Sequence, residues 1–412
     1  MAGGTGPDRL DAARLAGTVV SHALPDLDYA AFAQELDALR DQVESEVVSE
    51  AHAHLRRQSR WASALTFFGY ATAWMAPNPV SAVLMSLGLT ARWTIVAHHT
   101  SHRALDRLPN VPVAQTSKGF AKGGRRWLDW LDWLDPEAWD YEHNKLHHYH
   151  TGEVSDPDLV EDQVARIRQS SQPHWVKLLV VAIYAFTWKF AYYAPNTHAL
   201  LRRERQRKAE RRPPEAAGVH TDVDLVRAWS PFNPDGRSFW RLVAGPYIGL
   251  RFLVVPALFL PLGAWAAFSV VVNAVLAELL TGLHTFVVVV PNHAGDDLHR
   301  FDRPPTDRAE FYVRQVLGSV NFRTGGALND FLHGFLNYQI EHHLWPDMSP
   351  RGLQVAAPRV RTLCARHGVP YIQESVFRRV GKLVDIMTGR TSMIVGETRG
   401  KHEREPMLQS AK

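Results

Sequence analysis

Two stretches of the chain lack the charge that a water-facing surface needs, and they limit the fold before anything else does. From Trp61 to Ala91 no residue is charged, and apart from Arg92 the apolar character runs on to Ala97. A hydrocarbon core of about 30 Å takes roughly 20 helical residues per crossing, so this stretch is too long for one span and slightly short for two. Pro77, Asn78 and Pro79 punctuate its middle, which predicts a tight helical hairpin with spans at about 61–76 and 79–97. A second block, Leu242 to Val290, carries Arg251, Glu278 and His284 as its only ionisable side chains besides Tyr247. It accommodates two further spans, about 242–262 and 264–290, broken near Pro261 and Gly263. The averages hide this pattern: 46% hydrophobic residues and a mean hydropathy of −0.21 resemble a soluble protein.

The expected fold class is therefore an all-α membrane protein: four transmembrane helices in two hairpins, interfacial helices and a cytosolic helical cap. The expected organisation is a cytosolic N-terminal segment over 1–60, a membrane domain over 61–377 and a C-terminal tail over 378–412. Asp26 to Val43 reads as a short surface helix, with Leu36 and Leu39 set among charges. A third apolar segment, Trp175 to Tyr193, carries Lys177 and Lys189. If it spanned, the histidine clusters before and after it would face opposite compartments; lying in the interface, about 175–193, it leaves them all on one side. Three consecutive Trp-Leu-Asp triplets, Trp127 to Asp135, put Trp and Leu on one helical face and Asp on another, which predicts a helix that lies in-plane at the headgroup level or, given its acidic face, packs against protein. The basic run Arg202, Arg203, Arg205, Arg207, Lys208, Arg211 and Arg212 is opposed only by Glu204 and Glu210, so it predicts a cytoplasmic loop. An excess of Arg over Lys, 37 to 9, hints at a high-GC genome and a bacterial inner membrane.

Composition also excludes. One cysteine, Cys364, rules out an internal disulfide framework and a Cys-ligated iron–sulfur cluster. A net charge of +4 is too small for a dedicated nucleic-acid binder.

Histidine is where the chemistry gathers. His98, His99 and His102 follow the first hairpin; His143, His147 and His148 form His-x-x-x-His-His; His293 sits just past the second apolar block; Gln339, His342 and His343 form Gln-x-x-His-His. With 21 histidines in 412 residues, chance supplies roughly one His-x-x-x-His pair, so one box is a weak signal. Three boxes, each placed beyond or between apolar hairpins, are a strong one. Residues four apart share a helical face with Cβ atoms about 5–6 Å apart, so His98 converges with His102 and His143 with His147. Adjacent histidines diverge by about 100°, so His147 and His148, or His342 and His343, can serve two neighbouring metals. Even without His99, which points about 100° away from His98, the remaining eight imidazoles exceed what a single four-coordinate zinc uses, and ligand type alone does not name the metal. Glu278 is too far from His293 to be a ligand, about 22 Å along a helix; it is expected to line a substrate cavity or to pair with Arg251.

With these residues in view, the chain resembles the integral-membrane, histidine-box fatty acid desaturases from about residue 60 to 377. The resemblance is closest to the front-end acyl desaturases, whose third box begins with Gln. It rests on Glu142 to His148, Asp156-Pro157-Asp158, Pro291-Asn292-His293, Asn337 to Pro346, and Leu363 to Gly368. It implies a dinuclear site of two iron ions, Fe2+/Fe3+, held by His98, His102, His143, His147, His148, His293, His342 and His343. His99, Asn292, Gln339 and Asp156 are weaker candidates, for places beside the metals. Asp often follows the first box-one histidine in that family, where this chain has His99. Many front-end members carry a fused cytochrome b5 with His-Pro-Gly-Gly; this sequence holds no His-Pro dipeptide. The resemblance implies an enzyme that uses O2 to place a double bond in a fatty acyl chain, lipid-, CoA- or carrier-protein-linked. Membrane lipid surrounds it, and the metal site faces the cytoplasm. The chain has no Gly-x-Gly-x-x-Gly fingerprint, so its electrons are expected from an external ferredoxin or cytochrome b5-like protein, for which the basic run is a docking candidate. Rival readings are a hydroxylase or related oxidase of the same superfamily and, more distantly, a membrane metal transporter.

Overall fold

The computed structural model describes residues 20–21, 24, 26–212 and 225–396. Its long helices are α1 (Tyr29–Ala73), α2 (Pro79–Ser101), α3 (residues 136–150), α4 (His174–Ala209), α5 (Pro234–Leu262) and α6 (Ala264–His293). Shorter helices α7 (Arg308–Leu317), α8 (Gln339–Leu344), α9 (Pro350–Arg366) and α10 (Val376–Thr388) complete the cap. The only strands among the described residues are β1 (Val20–Ser21), β2 (His299–Arg300), β3 (Asn321–Phe322), β4 (Gln373–Glu374) and β5 (Ile394–Gly396), in two small parallel sheets ordered β1-β5-β2 and β3-β4.

The surface helix expected at Asp26–Val43 and the first apolar segment form one helix. No Pro or Gly interrupts the chain between Tyr29 and Phe68, so nothing breaks the hydrogen-bond ladder at residue 60, and α1 runs for 45 residues, about 68 Å. Asp28 caps its start by accepting from the Ala31 N–H at 3.0 Å. Phe32, Leu36, Leu39 and Val43 repeat at helical spacing and are buried against α9, which contributes Leu353, Ala356 and Val360. The ion pairs Glu35–Arg366, Glu46–Arg359 and Glu50–Arg351 line that seam. Beyond residue 60 the same helix turns Trp61, Phe67 and Phe68 outward.

Both hairpin turns fall where Pro and Gly demand. Asn78 caps α2 at Pro79, and Gly263, at φ +107°, separates α5 from α6. Asn273 clamps the hairpins together, accepting from Asn78 N–H at 2.8 Å and donating to the carbonyls of Ala73 and Ala76 at 2.9 Å. Among the described residues four helices are long and apolar enough to cross a membrane: α2, α4, α5 and α6. Both ends of α4, however, pack on cap elements. Near its start Lys177 donates to the carbonyls of Arg168 and Thr388; further on, Tyr193 donates to Glu142 on α3 at 2.8 Å and Arg202 pairs with Asp235. Between them α4 crosses α6 so closely that a Cβ at Gly282 would sit 2.1 Å from the Phe186 carbonyl oxygen.

Glu278 takes the second of its two expected roles. Its carboxylate accepts from Arg251 Nε at 2.6 Å, from the Tyr247 hydroxyl at 2.5 Å and from Trp133 Nε1 at 3.0 Å, and Arg251 also reaches the Tyr70 hydroxyl. This closes a charged pair with hydrogen bonds inside the bundle, as a buried charge requires.

The Trp-Leu-Asp repeat does not make the in-plane helix its spacing predicts. Only Arg126–Asp129 is helical, because the three repeats have different partners. Asp129 pairs with Arg125, Asp132 forms a buried pair with Lys189 at 2.6 Å, and Asp135 caps α3. The basic run is also less free than its sequence suggests: Arg202 pairs with Asp235, Arg205 with Glu137, and Arg207 and Lys208 with Glu204. The segment expected as a tail from residue 378 begins inside α10, whose Leu383, Ile386 and Met387 are fully buried. Arg379 there bridges Asp297 at 2.6 Å and the Ala294 carbonyl at 2.9 Å.

Candidate metal centre

The three histidine boxes and His293 arrive from four directions. Box one ends α2, box two lies in α3, His293 ends α6 and box three forms α8. Two of these approaches are π-helical, over Arg92–Ala97 and Asp140–His147. A π turn aligns residues five apart, so His143 stacks its reach with His148 as well as with His147.

Their ring nitrogens form two clusters. His98, His102, His143, His148 and His342 each place a nitrogen within 4.8 Å of the others, and so do His147, His293 and His343. Each adjacent pair is divided: His147 from His148, and His342 from His343. Asp158 approaches His143 and His147 within the same limit. In the larger cluster His143 Nε2 lies 3.1 Å from His98 Nε2 and 3.3 Å from His148 Nε2. Nitrogens bound at about 2.0–2.1 Å to one tetrahedral metal are about 3.3–3.4 Å apart, so the spacing fits a shared ion.

The hydrogen bonds on the far side of the rings set the tautomers. Nδ1 of His98 donates to the Thr94 carbonyl at 3.2 Å, Nδ1 of His293 to the Gly318 carbonyl at 3.0 Å, and Nδ1 of His147 to Asp156 Oδ1 at 2.9 Å. Nδ1 of His343 meets Gln315 Oε1 at 3.0 Å and Thr151 Oγ1 at 3.1 Å. With the proton on Nδ1, each Nε2 presents a lone pair to the cluster, the arrangement that orients metal-ligating histidines. Nε2 of His102 and His343 and both nitrogens of His342 are buried with no hydrogen-bond partner. Such orphaned atoms cost free energy unless something binds them, and neutral nitrogen donors suit a transition metal.

Electrostatics favour the neutral form. Burial first, and neighbouring imidazoles second, hold His102, His143, His148, His342 and His343 well below the ordinary histidine pKa. His147 is the exception: burial opposes its charge, but Asp156 and then Asp158 outweigh it and raise its pKa.

The weaker candidates also find places. Gln339 Nε2 lies 2.9 Å from His293 Nε2, and Asn292 donates to Gln339 Oε1 at 3.1 Å. His99 is buried beside His98 and His342, at centroid distances of 5.0 and 5.8 Å, but joins neither cluster. His150, His284 and His333 are engaged elsewhere, with Glu153, the Leu332 carbonyl and the Asn329 carbonyl; His22, His220 and His402 lie outside the described residues. Sequence reasoning missed Thr94, Thr151 and Gln315. Thr94 and Thr151 stand four residues from His98 and His147, a readable helical offset, but nothing along the chain links Gln315 to His343.

An apolar pocket opens onto these rings. His98, His143, His147, His293 and Gln339 form one wall, and Trp93, Trp139, Tyr184, Trp188, Val289 and Met387 supply much of the rest. The lining suits an apolar ligand with a reactive centre at one side.

Comparison with known proteins agrees with this geometry. The fatty acid desaturase family profile matches residues 72–375. The NADPH-dependent stearoyl-CoA 9-desaturase of Mycobacterium tuberculosis (strain ATCC 25618 / H37Rv) is 26% identical over 379 residues, 87% of this chain and 79% of that protein. Shorter matches include the Delta(8)-fatty-acid desaturase of Euglena gracilis, 38% identical over 96 residues (23% of this chain, 22% of that one). The acyl-lipid (9-3)-desaturase of Physcomitrium patens is 34% identical over 101 residues, 24% of this chain and 18% of that one. The helical bundle, the buried histidine clusters and the family match together place this chain in the fatty acid desaturase family, as a membrane protein and a fatty acyl desaturase.

Proposed function

We propose that the two histidine clusters each hold one iron, that O2 is the oxidant and that the acyl chain lies in the aromatic-walled cavity with the C–C bond to be oxidised against His98, His143, His147 and His293. The observation that carries this reading is the division of eight imidazoles into two clusters bordering one apolar cavity. Bound iron would supply the oxidising power that an unactivated methylene pair requires. The protein's own work is positional. Trp93, Trp139 and Trp188 confine the chain and exclude water, and Asp156, Gln315 and the Gly318 carbonyl fix the rings whose lone pairs face the metals.

Overall, two hydrogens leave adjacent carbons and O2 becomes two waters, which needs two electrons and two protons from outside the substrate. A ferredoxin or cytochrome b5-like donor is the proposed source. Because Arg202, Arg205, Arg207 and Lys208 are already paired within the chain, the basic run is a weaker docking face than its sequence suggests. We place α4 along the interface, since both its ends pack on the cap. The metal site then lies on the cytoplasmic side of the membrane, in a bacterium the inner one. Mass analysis of the products from a saturated acyl substrate tests the reading. Loss of two hydrogens is the expected result; gain of one oxygen would identify a hydroxylase instead.

A further inference from the structure

On α1, which does not line the acyl cavity, Arg56 stands three and four residues before Ser59 and Arg60, and Ser63 stands four and three residues after them, so all four share a stripe of the helix. Arg92 of α2 reaches into this stripe, donating to Ser59 Oγ at 3.3 Å and to Ser63 Oγ at 2.8 Å. Arg56, Arg60 and Arg92 border one pocket, together with Arg125 and Asp129. Asp129 is the pocket's one carboxylate, and it is taken by both arms of Arg125 at 2.8 and 3.0 Å. Among the described residues no carboxylate lies within ion-pair distance of Arg56, Arg60 or Arg92. Four guanidiniums thus face one space with a single carboxylate, Asp129, among them, which leaves a net positive charge that an anion can offset. Below them the same stripe continues through Ser63 to Phe67, which is 66% exposed, and Ala71. A cationic head end and an apolar lane run in sequence down one helix, at the level where α1 passes from charged to uncharged residues.

We propose that this stripe binds one anionic phospholipid, its phosphate on Arg56, Arg60 and Arg92 and one acyl chain along Ser63, Phe67 and Ala71. Charge complementarity and continuity with the apolar lane select that occupant. The site is separate from the acyl cavity, and the inference rests on the uncharged end of α1, Trp61 to Ala73, entering the membrane beside α2, although α1 is not one of the four helices apolar enough to cross it by themselves. The test uses full-length protein in nanodiscs of phosphatidylcholine with one-fifth phosphatidylglycerol, extracted into mild detergent, with retained lipid counted by mass spectrometry. About one phosphatidylglycerol per chain is expected in the wild type and in a charge-matched control, R361Q/R378Q, and at least fivefold less in R56Q/R60Q. Both replaced arginines are exposed, and iron content and product formation measured on the same samples report separately on the metal centre. Retention of phosphatidylglycerol no better than phosphatidylcholine in the wild type, or equal retention in R56Q/R60Q, would overturn the proposal.

Discussion

Asp156 offers a way to perturb one of the two proposed irons and spare the other. Its carboxylate is 2% exposed and faces only donors: Oδ1 accepts from His147 Nδ1 and the Asp158 N–H, both at 2.9 Å, and Oδ2 accepts from the Gly152 N–H at 2.9 Å. Asp156→Asn preserves the shape but turns one oxygen into an NH2 group. Whichever way the amide turns, a donor then faces a donor, at a cost of about 1–3 kcal/mol. If the amide oxygen stays on Gly152, His147 loses the partner that fixes its tautomer. Loss of such a partner typically weakens metal binding 10- to 100-fold, about 1.4–2.8 kcal/mol. His147 belongs to the cluster with His293 and His343, not to the cluster of five. Chelator competition followed by iron analysis should therefore show D156N losing one of two irons at a chelator concentration where the wild type keeps both. Loss of both irons together, or a titration matching the wild type, would refute the division of the site.

Four further outcomes follow from the geometry. Replacing Glu278 by Gln leaves Arg251 buried without its counter-charge, so the thermal midpoint in detergent should fall by the equivalent of about 3–5 kcal/mol; an unchanged midpoint would contradict the ion pair. Val164→Trp narrows the acyl cavity without touching a ligand, so turnover of long acyl chains should drop at least tenfold with iron content unchanged, and equal turnover would remove the chain from that cavity. Gly282→Ala puts a methyl against the Phe186 carbonyl, which should displace α4 and lower both stability and turnover; wild-type values would show that α4 does not cross there. His102, His143, His148, His342 and His343 are neutral in the fold, with pKa values pushed below the ordinary value, whereas the unfolded chain takes up these protons below about pH 6.5. Chelator-treated protein should thus lose stability as pH falls from 7 to 5, by at most about 1.4 kcal/mol per pH unit per histidine, and change little from 7 to 8; a midpoint flat below pH 6.5 would contradict it.

Much of this architecture is legible along the chain because it is written in local terms. Pro77-Asn78-Pro79 and Gly263 mark the hairpin turns, and box spacings announce which imidazoles share a face. Adjacent histidines diverge, and their division between clusters follows from that divergence alone. What escapes the sequence depends on contacts between distant segments. The Trp-Leu-Asp triplets are periodic, yet Lys189 and Glu278 claim the second and third and pull them out of the helix that the first, held by Arg125, keeps. The continuity of α1 was hidden by its change of surroundings: residues 29–60 read as water-soluble and 61–73 as lipid-facing, although no helix breaker separates them. Gln315 reaches His343 only because α7 packs on α8, and the acids that neutralise the basic run, Glu137 and Asp235, lie far from it in sequence.

The central claim is that the chain holds two irons, one in each histidine cluster. Iron analysis of protein purified from iron-replete cells, with His342→Ala and His147→Ala alongside, measures it most directly. The account predicts about two irons per chain in the wild type and a loss in both variants, His342→Ala acting through the cluster of five and His147→Ala through the other. Wild-type protein with no iron, even after reconstitution, or iron that survives both substitutions, would contradict it.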